Sequence, residues 1–182
     1  MKQFIIIISL LYSSSIFCGE VIESNISYKK GHYKATLEMQ IDAPADNVYT
    51  LFTDFNNLSQ LSVNITDSHL LSNNPPKYIV KVSSHNCVLF FCKDLTQTQQ
   101  VLELDNGHIS VEDIKGKSDF IYSKTLWHIR EFEEETRVSF STEMKPDFWL
   151  PPLLGPWLFK KRLIKETQAM IERLEELAAD ED

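Results

Sequence analysis

The sequence predicts an α+β domain in which a strongly curved antiparallel sheet wraps one long C-terminal helix. Three observations carry this expectation. Apolar and polar residues alternate strictly over Tyr33–Asp42 and again over Arg137–Lys145; the runs between are separated by short, turn-rich stretches; and apolar residues near the C-terminus recur every three or four positions.

Between Lys30 and Asp42, Tyr33, Ala35, Leu37, Met39 and Ile41 alternate with Lys34, Thr36, Glu38, Gln40 and Asp42, the pattern of a strand with one buried face. Pro44 then suits a helix start, and Val48, Leu51, Phe52 and Phe55 recur at helical spacing until Asn56-Asn57 breaks the period; a second short helical turn is expected over Leu58 to Leu61. Further strands read as Asp67 to Leu71, Lys77 to Ser84, Phe91 to Leu104, His108 to Ile114, Asp119 to Phe132 and Thr136 to Lys145. The separators Asn73-Asn74-Pro75-Pro76, Asp105-Asn106-Gly107, Lys115-Gly116-Lys117 and Glu133-Glu134-Glu135 have the chemistry of reversals and are short enough for antiparallel neighbours. In the last strand Val138, Phe140, Thr142 and Met144 share one face and polar residues the other, so one side of the sheet meets water. After Pro146, Pro151, Pro152 and Pro156, the residues Trp157, Leu158, Leu163, Ile164, Thr167, Met170, Ile171, Leu174, Leu177 and Ala178 mark one amphipathic helix.

Composition agrees with one globular domain: 182 residues, 43% apolar and 24% charged. The net charge of -8 opposes a phosphate backbone, and the five glycines are too scattered to cradle a phosphate, so nucleic acid and nucleotides are not expected partners.

The N-terminus reads as an address. Lys2 precedes the apolar run Phe4–Leu11, and Tyr12, three serines and Ile16-Phe17-Cys18-Gly19 lead to the first acid, Glu20. The expected organisation is a signal peptide over residues 1–19, cleaved near Cys18 or Gly19, and a single domain over 20–182. Serines interrupt the run short of the roughly 20 apolar residues that a membrane span needs. An uncleaved anchor helix and a lipidated Cys18 are the competing readings, though Ser15-Ile16-Phe17 is a poor lipidation context. Export places the chain in a periplasm or outside the cell; the short signal and sparse cysteines favour a bacterial envelope.

Cys87 and Cys92 are expected to bond in an oxidising compartment. In one straight strand their Cα atoms would lie roughly 16 Å apart, far beyond bridging range, so a disulfide requires a hairpin with Val88-Leu89-Phe90-Phe91 at its tip. That tip reads as buried strand or as an exposed apolar finger. With His85 the two cysteines also make three zinc ligands, but no fourth is spaced nearby, and no metal is expected.

This order of elements resembles the START-like polyketide cyclase and lipid-transfer superfamily, with the coenzyme-Q-binding branch the nearest. The resemblance rests on Ala43-Pro44-Ala45-Asp46-Asn47-Val48-Tyr49 opening the first helix, on Trp127 in its strand, on the strand start Thr136-Arg137-Val138, and on the proline-rich entry to the terminal helix. It spans roughly Tyr28 to Leu177. It implies a helix-grip fold, a seven-stranded antiparallel sheet around the helix with two short helices after the first strand, and a pocket for lipids, quinones, sterols or polyketides. The signal-like N-terminus and the cysteine pair depart from intracellular relatives.

A cavity between sheet and helix is the expected binding site. Candidate lining positions are Leu37, Met39, Phe52, Trp127, Phe140, Trp157 and Ile164, each on an inferred inward face or at the entrance. Trp149 and Leu153 lie in the apolar stretch Phe148–Phe159, just before Lys160-Lys161-Arg162. This composition suits a gate or a transient membrane contact, and equally a plain cap on the core. The expected partner is a hydrophobic small molecule, a lipid or a quinone, with no cofactor; no protein partner is indicated.

The sequence contains no HExxH, GxSxG or CxxC, and no histidine is spaced as a base for a nucleophile, so no catalytic residue is expected. Alternation sets His128 opposite Trp127, away from the cavity if Trp127 points in. Two rival readings stand beside the carrier. A cyclase or hydrolase requires a polar side chain such as His128 or Tyr122 in the pocket; an interaction domain requires a filled one.

Overall fold

A computed structural model describes residues 19–88, 91–133, 135–148 and 155–179. Residues 1–18 of the expected signal peptide, the hairpin tip at Leu89 and Phe90, and the gate residues Trp149 and Leu153 lie outside the described residues.

In chain order the elements are β1 (Glu20–Lys29), β2 (His32–Ile41), α1 (Ala45–Thr53), a 3-10 turn (Leu58–Gln60), β3 (Ile65–Asn74), β4 (Lys77–Val88), β5 (Phe91–Leu104), β6 (His108–Ser118), β7 (Phe120–Phe132), β8 (Glu135–Pro146) and α2 (Gly155–Ala179). The strands form one antiparallel sheet in the order β1-β2-β8-β7-β6-β5-β4-β3. Pairing of β2 with β8, from Tyr33↔Met144 to Ile41↔Thr136, brings the two ends of the chain together. The helix packs back on β1 and β2 and touches α1. The helix-grip architecture is as the sequence predicts.

The sheet has eight strands where the sequence leads one to expect about seven, the added one being β1 at the sheet edge. This edge strand is largely exposed, so its alternation of apolar residues is weak. The missed signal is Lys30-Gly31: both residues have positive φ, 52° and 83°, as a tight hairpin turn between twisted strands requires. Lys30 therefore belongs to the turn, not to the long strand that alternation suggested. Across the turn Tyr28 pairs with Tyr33, their rings 4.8 Å apart.

Lys115-Gly116-Lys117, expected as a turn, does not reverse the chain. On β5, Gln99 pairs with Asp113 and Gln97 with Ser118, so residues 114–117 leave the register while β6 runs on to Ser118. Asp119 holds the segment against β5: its N–H donates to the Thr96 carbonyl at 3.0 Å, and its carboxylate accepts the Thr96 N–H at 2.8 Å. The chain turns only after those bonds are made.

The expected hairpin between β4 and β5 is present. Cys87 stands opposite Cys92 in the register, and the two form a disulfide.

The core lies between the concave sheet face, α1 and α2. Met39, Ile41, Val138 and Ile129 from the sheet meet Val48 and Leu51 from α1 and Ile171, Leu174 and Ala178 from α2. Polar ties fix the helix end. The Glu175 carboxylate accepts N–H bonds from Gly19 at 2.7 Å and from Asp42 at 2.9 Å, and the Gln168 amide donates to the Gly19 carbonyl at 3.1 Å. The buried Thr136 hydroxyl donates to the Ala43 carbonyl at 2.6 Å, pinning the loop into α1 against β8. Among the described residues, no helix is long and apolar enough to cross a membrane.

Candidate functional site

Cross-strand partners place inward side chains in rows running across the sheet. One row is Leu37, Phe140, Trp127 and Ile109; the next is Ala35, Thr142, Thr125, Val111, Val101 and Tyr78. Where these rows pass beneath α1 they do not meet the helices fully, and a cavity of about 230 Å3 remains. Its floor is Val80, Gln99, Val101, Ile109, Val111, Thr125, Trp127 and Phe140. Its roof is Phe52, Phe55, Leu58 and Leu61 from α1 and the turn after it, with Met170 from α2.

An aromatic corner forms one wall. The Trp127 ring centroid lies 4.5 Å from Phe140 and 5.0 Å from Phe52, the latter edge to face. Phe55 meets Tyr78 at 5.0 Å, and the Tyr78 hydroxyl donates to the Glu103 carboxylate at 3.2 Å. Burial, then the Glu103 charge, raises the Tyr78 phenol above its ordinary value; the same two causes raise Tyr49. Both phenols stay protonated at neutral pH.

Polar groups on the wall are held by neighbours. Gln99 donates its amide to Asp113 at 3.0 Å, and Asp113 also accepts from Gln97 at 3.1 Å and from Ser118 at 2.5 Å. The Thr125 and Thr142 hydroxyls share a bond of 2.8 Å. This gives one greasy corner and one polar edge, the arrangement that orients an amphipathic ligand.

The structure brings three of the expected residues together on the cavity wall: Phe52, Trp127 and Phe140. Leu37 is buried opposite Phe140, and Met39 is buried in the core; neither borders the void. Ile164 is half-buried on α2 and does not border it. Trp157 is 61% exposed, with the Lys161 ammonium 5.6 Å from its ring centre, so it is a surface residue and not a lining one. Sequence reasoning missed the rest of the wall, Met170, Gln99, Val101 and Val111 among it. Val101, Val111 and Met170 stand at apolar positions, but periodicity does not separate a residue that borders a void from one that fills the core; Gln99 is polar and lies in a run without apolar alternation.

His128 projects from the opposite face, in a shallow depression of about 260 Å3 shared with Glu23, Thr36, Glu38, Ser139 and Ser141. It stacks on His108, ring centroids 3.9 Å apart. Burial, then the charges of His108 and Arg130, lowers its pKa below the ordinary histidine value. Tyr122 is 36% exposed and not on the cavity wall. Neither side chain singled out for an enzymatic reading faces the void.

The family model described as polyketide cyclase / dehydrase and lipid transport matches residues 32–179. No curated protein sequence matches the chain. Among solved structures, a START superfamily protein from Mycobacterium smegmatis is similar at 15% identity and a TM-score of 0.67, over 81% of this chain and 99% of its own. The Zhui aromatase/cyclase from Streptomyces sp. R1128 shows 13% identity and a TM-score of 0.62, over 86% and 94% of the two chains. A STAR-related lipid transfer protein from Xanthomonas axonopodis shows 16% identity and a TM-score of 0.61, over 86% and 98%. At these identities the likeness is one of fold.

Proposed function

The chain belongs to the polyketide cyclase / dehydrase and lipid transport family, and from that premise we propose that it is an exported carrier for a hydrophobic ligand, with a quinone as the cargo class that best suits the site. One observation carries this reading: the cavity beneath α1, apolar along most of its wall and cornered by Trp127, Phe52 and Phe140. Aromatic side chains take a flat ring by stacking or edge contact, and burying the ligand's apolar surface supplies the driving force, roughly 25 cal/mol per Å2 before ordering costs. At about 230 Å3 the cavity lies just below the ~300–1,000 Å3 of whole-ligand sites, so it holds a ring or a chain segment of a larger molecule.

Among the described lining residues the polar side chains are those of Gln99 and Thr125. An amide and an alcohol do not exchange protons as acid or base near neutral pH, which favours carriage over a cyclase reaction. Export is supported by the signal-like order of residues 1–19, and the disulfide is compatible with it.

The test is native mass spectrometry of the protein isolated from an envelope fraction, followed by organic extraction. A stoichiometric quinone is the expected result; a lipid in its place keeps the carrier and overturns the quinone. Protein that is bare there, and remains bare after incubation with quinone-loaded vesicles, overturns the carrier.

A further inference from the structure

The register of β4 and β5 sets two cross-strand pairs side by side on one face at the end of the hairpin: His85 opposite Asp94, and Cys87 opposite Cys92. The side chains form a chain of contacts. The Asp94 carboxylate lies 2.6 Å from His85 Nδ1, and His85 Nε2 lies 3.3 Å from Cys87 Sγ, the sulfur bonded to Cys92. Since Asp94 accepts from Nδ1, the ring directs Nε2 at the sulfur. His85, Asp94 and Cys92 are exposed and Cys87 is half-buried. Nothing in the carrier reading uses this group, which sits on the hairpin between β4 and β5 and contributes no residue to the cavity wall.

We propose that Cys87–Cys92 is a thiol–disulfide exchange site whose substrate is a low-molecular-weight thiol. A thiolate attacks the exposed Cys92 Sγ and forms a mixed disulfide there. The Cys87–Cys92 bond breaks, and its electron pair leaves on Cys87 Sγ, which takes up a proton through His85 Nε2, the ring nitrogen that faces it. A second thiolate then attacks the incoming sulfur of the mixed disulfide, releasing the oxidised thiol pair and leaving Cys92 as thiolate. Two thiols are oxidised to one disulfide and one protein disulfide is reduced to two cysteines, so electrons and protons balance. The regiochemistry follows from the geometry: the sulfur beside the imidazole is the better leaving group, and its partner is the more accessible to attack. His85, Cys87 and Cys92 also cluster within 4.8 Å as metal donors, but both sulfurs are committed to each other, so exchange is what the oxidised protein offers.

The experiment uses the unaltered chain first. It is treated with glutathione at pH 7, quenched in acid, and the mixed disulfide is mapped by peptide mass spectrometry. Glutathione on Cys92 is expected; glutathione on Cys87 overturns the assignment. In the second arm, reduction by dithiothreitol is timed for the unaltered protein, His85→Gln and Asp94→Asn, with the far-UV spectrum as the check that the fold is kept. His85→Gln is expected to be about tenfold slower and Asp94→Asn slowed by less, the scale on which a neighbouring imidazolium changes thiolate reactivity. Equal rates for all three overturn the role of His85.

Discussion

Trp157, Ile164, Ile171 and Ala178 occupy the same position of successive helical heptads on α2, yet their surroundings differ steeply. Trp157 is 61% exposed, Ile164 is half-buried, and Ile171 is 0% and Ala178 2% exposed. The last turns are held by Leu174 in the core and by Glu175 bonded to the Gly19 and Asp42 amides. The first turns are held by lighter contacts. Phe159 meets the Tyr33 ring at 5.1 Å, and Arg162 bonds Asn64 at 2.5 Å and Glu166 at 2.9 Å. Met170, where the helix borders the cavity, falls between the two. One continuous stripe of apolar residues thus has an anchored end and a lightly held end. A carrier needs this division, because ligand exchange must open one end without unfolding the other.

The comparison breaks most visibly if the anchor is removed. Leu174→Ala is expected to destabilise the fold by about 2–5 kcal/mol, the range for emptying a fully buried leucine site, measured by urea denaturation. A loss under about 1 kcal/mol would mean that the C-terminal half is no anchor. Glu175→Ala is expected to cost about 1 kcal/mol, because it strips a charged acceptor from the exposed Asp42 N–H and, where cleavage leaves Gly19 in place, from the Gly19 N–H. Arg162→Ala sharpens the contrast at the other end: a stability change below about 1 kcal/mol, as for a partly exposed ion pair, with faster release of bound ligand. Trp157→Ser is expected to leave the unfolding free energy nearly unchanged, within about 0.5 kcal/mol, while slowing ligand transfer from vesicles. An unchanged transfer rate would reduce Trp157 to an incidental surface residue.

The smallest effect concerns the outer face. The folded pKa of His128 lies below its ordinary value, so the unfolded chain binds the proton more readily, and stability is lost as pH falls from about 6.5 through the lower folded value. His128→Gln is expected to flatten the melting temperature against pH in that window and to leave it unaltered above pH 7. A mutant that keeps the same acid slope assigns the slope to other groups.

Much of this organisation was legible in the sequence, and the reasons are local. Alternation along β2 and β8 gave their faces directly, and the aromatic corner followed because Phe140 and Trp127 sit on clean inward positions and Phe52 on the inner face of α1. β1 was not legible because an edge strand with little buried surface leaves little pattern; only the Lys30-Gly31 turn announces it. The Trp157 expectation failed because a helical period gives the direction of a side chain but not where along the helix the sheet stops covering it. Gln99, Val101 and Met170 were not singled out because the void they border depends on sheet curvature and on how far the 3-10 turn stands off the floor. Both are tertiary quantities that alternation does not encode.

The most direct measurement compares binding of a short-chain quinone to the unaltered protein and to Val111→Phe, by quenching of intrinsic tryptophan fluorescence, with thermal melts alongside. Val111 borders the cavity and is not fully buried, so a phenyl ring there fills the void without emptying the core. Saturable quenching is expected in the unaltered protein, with its loss in Val111→Phe at an equal or higher melting temperature. Equal binding by both proteins would place the ligand elsewhere and contradict the carrier site.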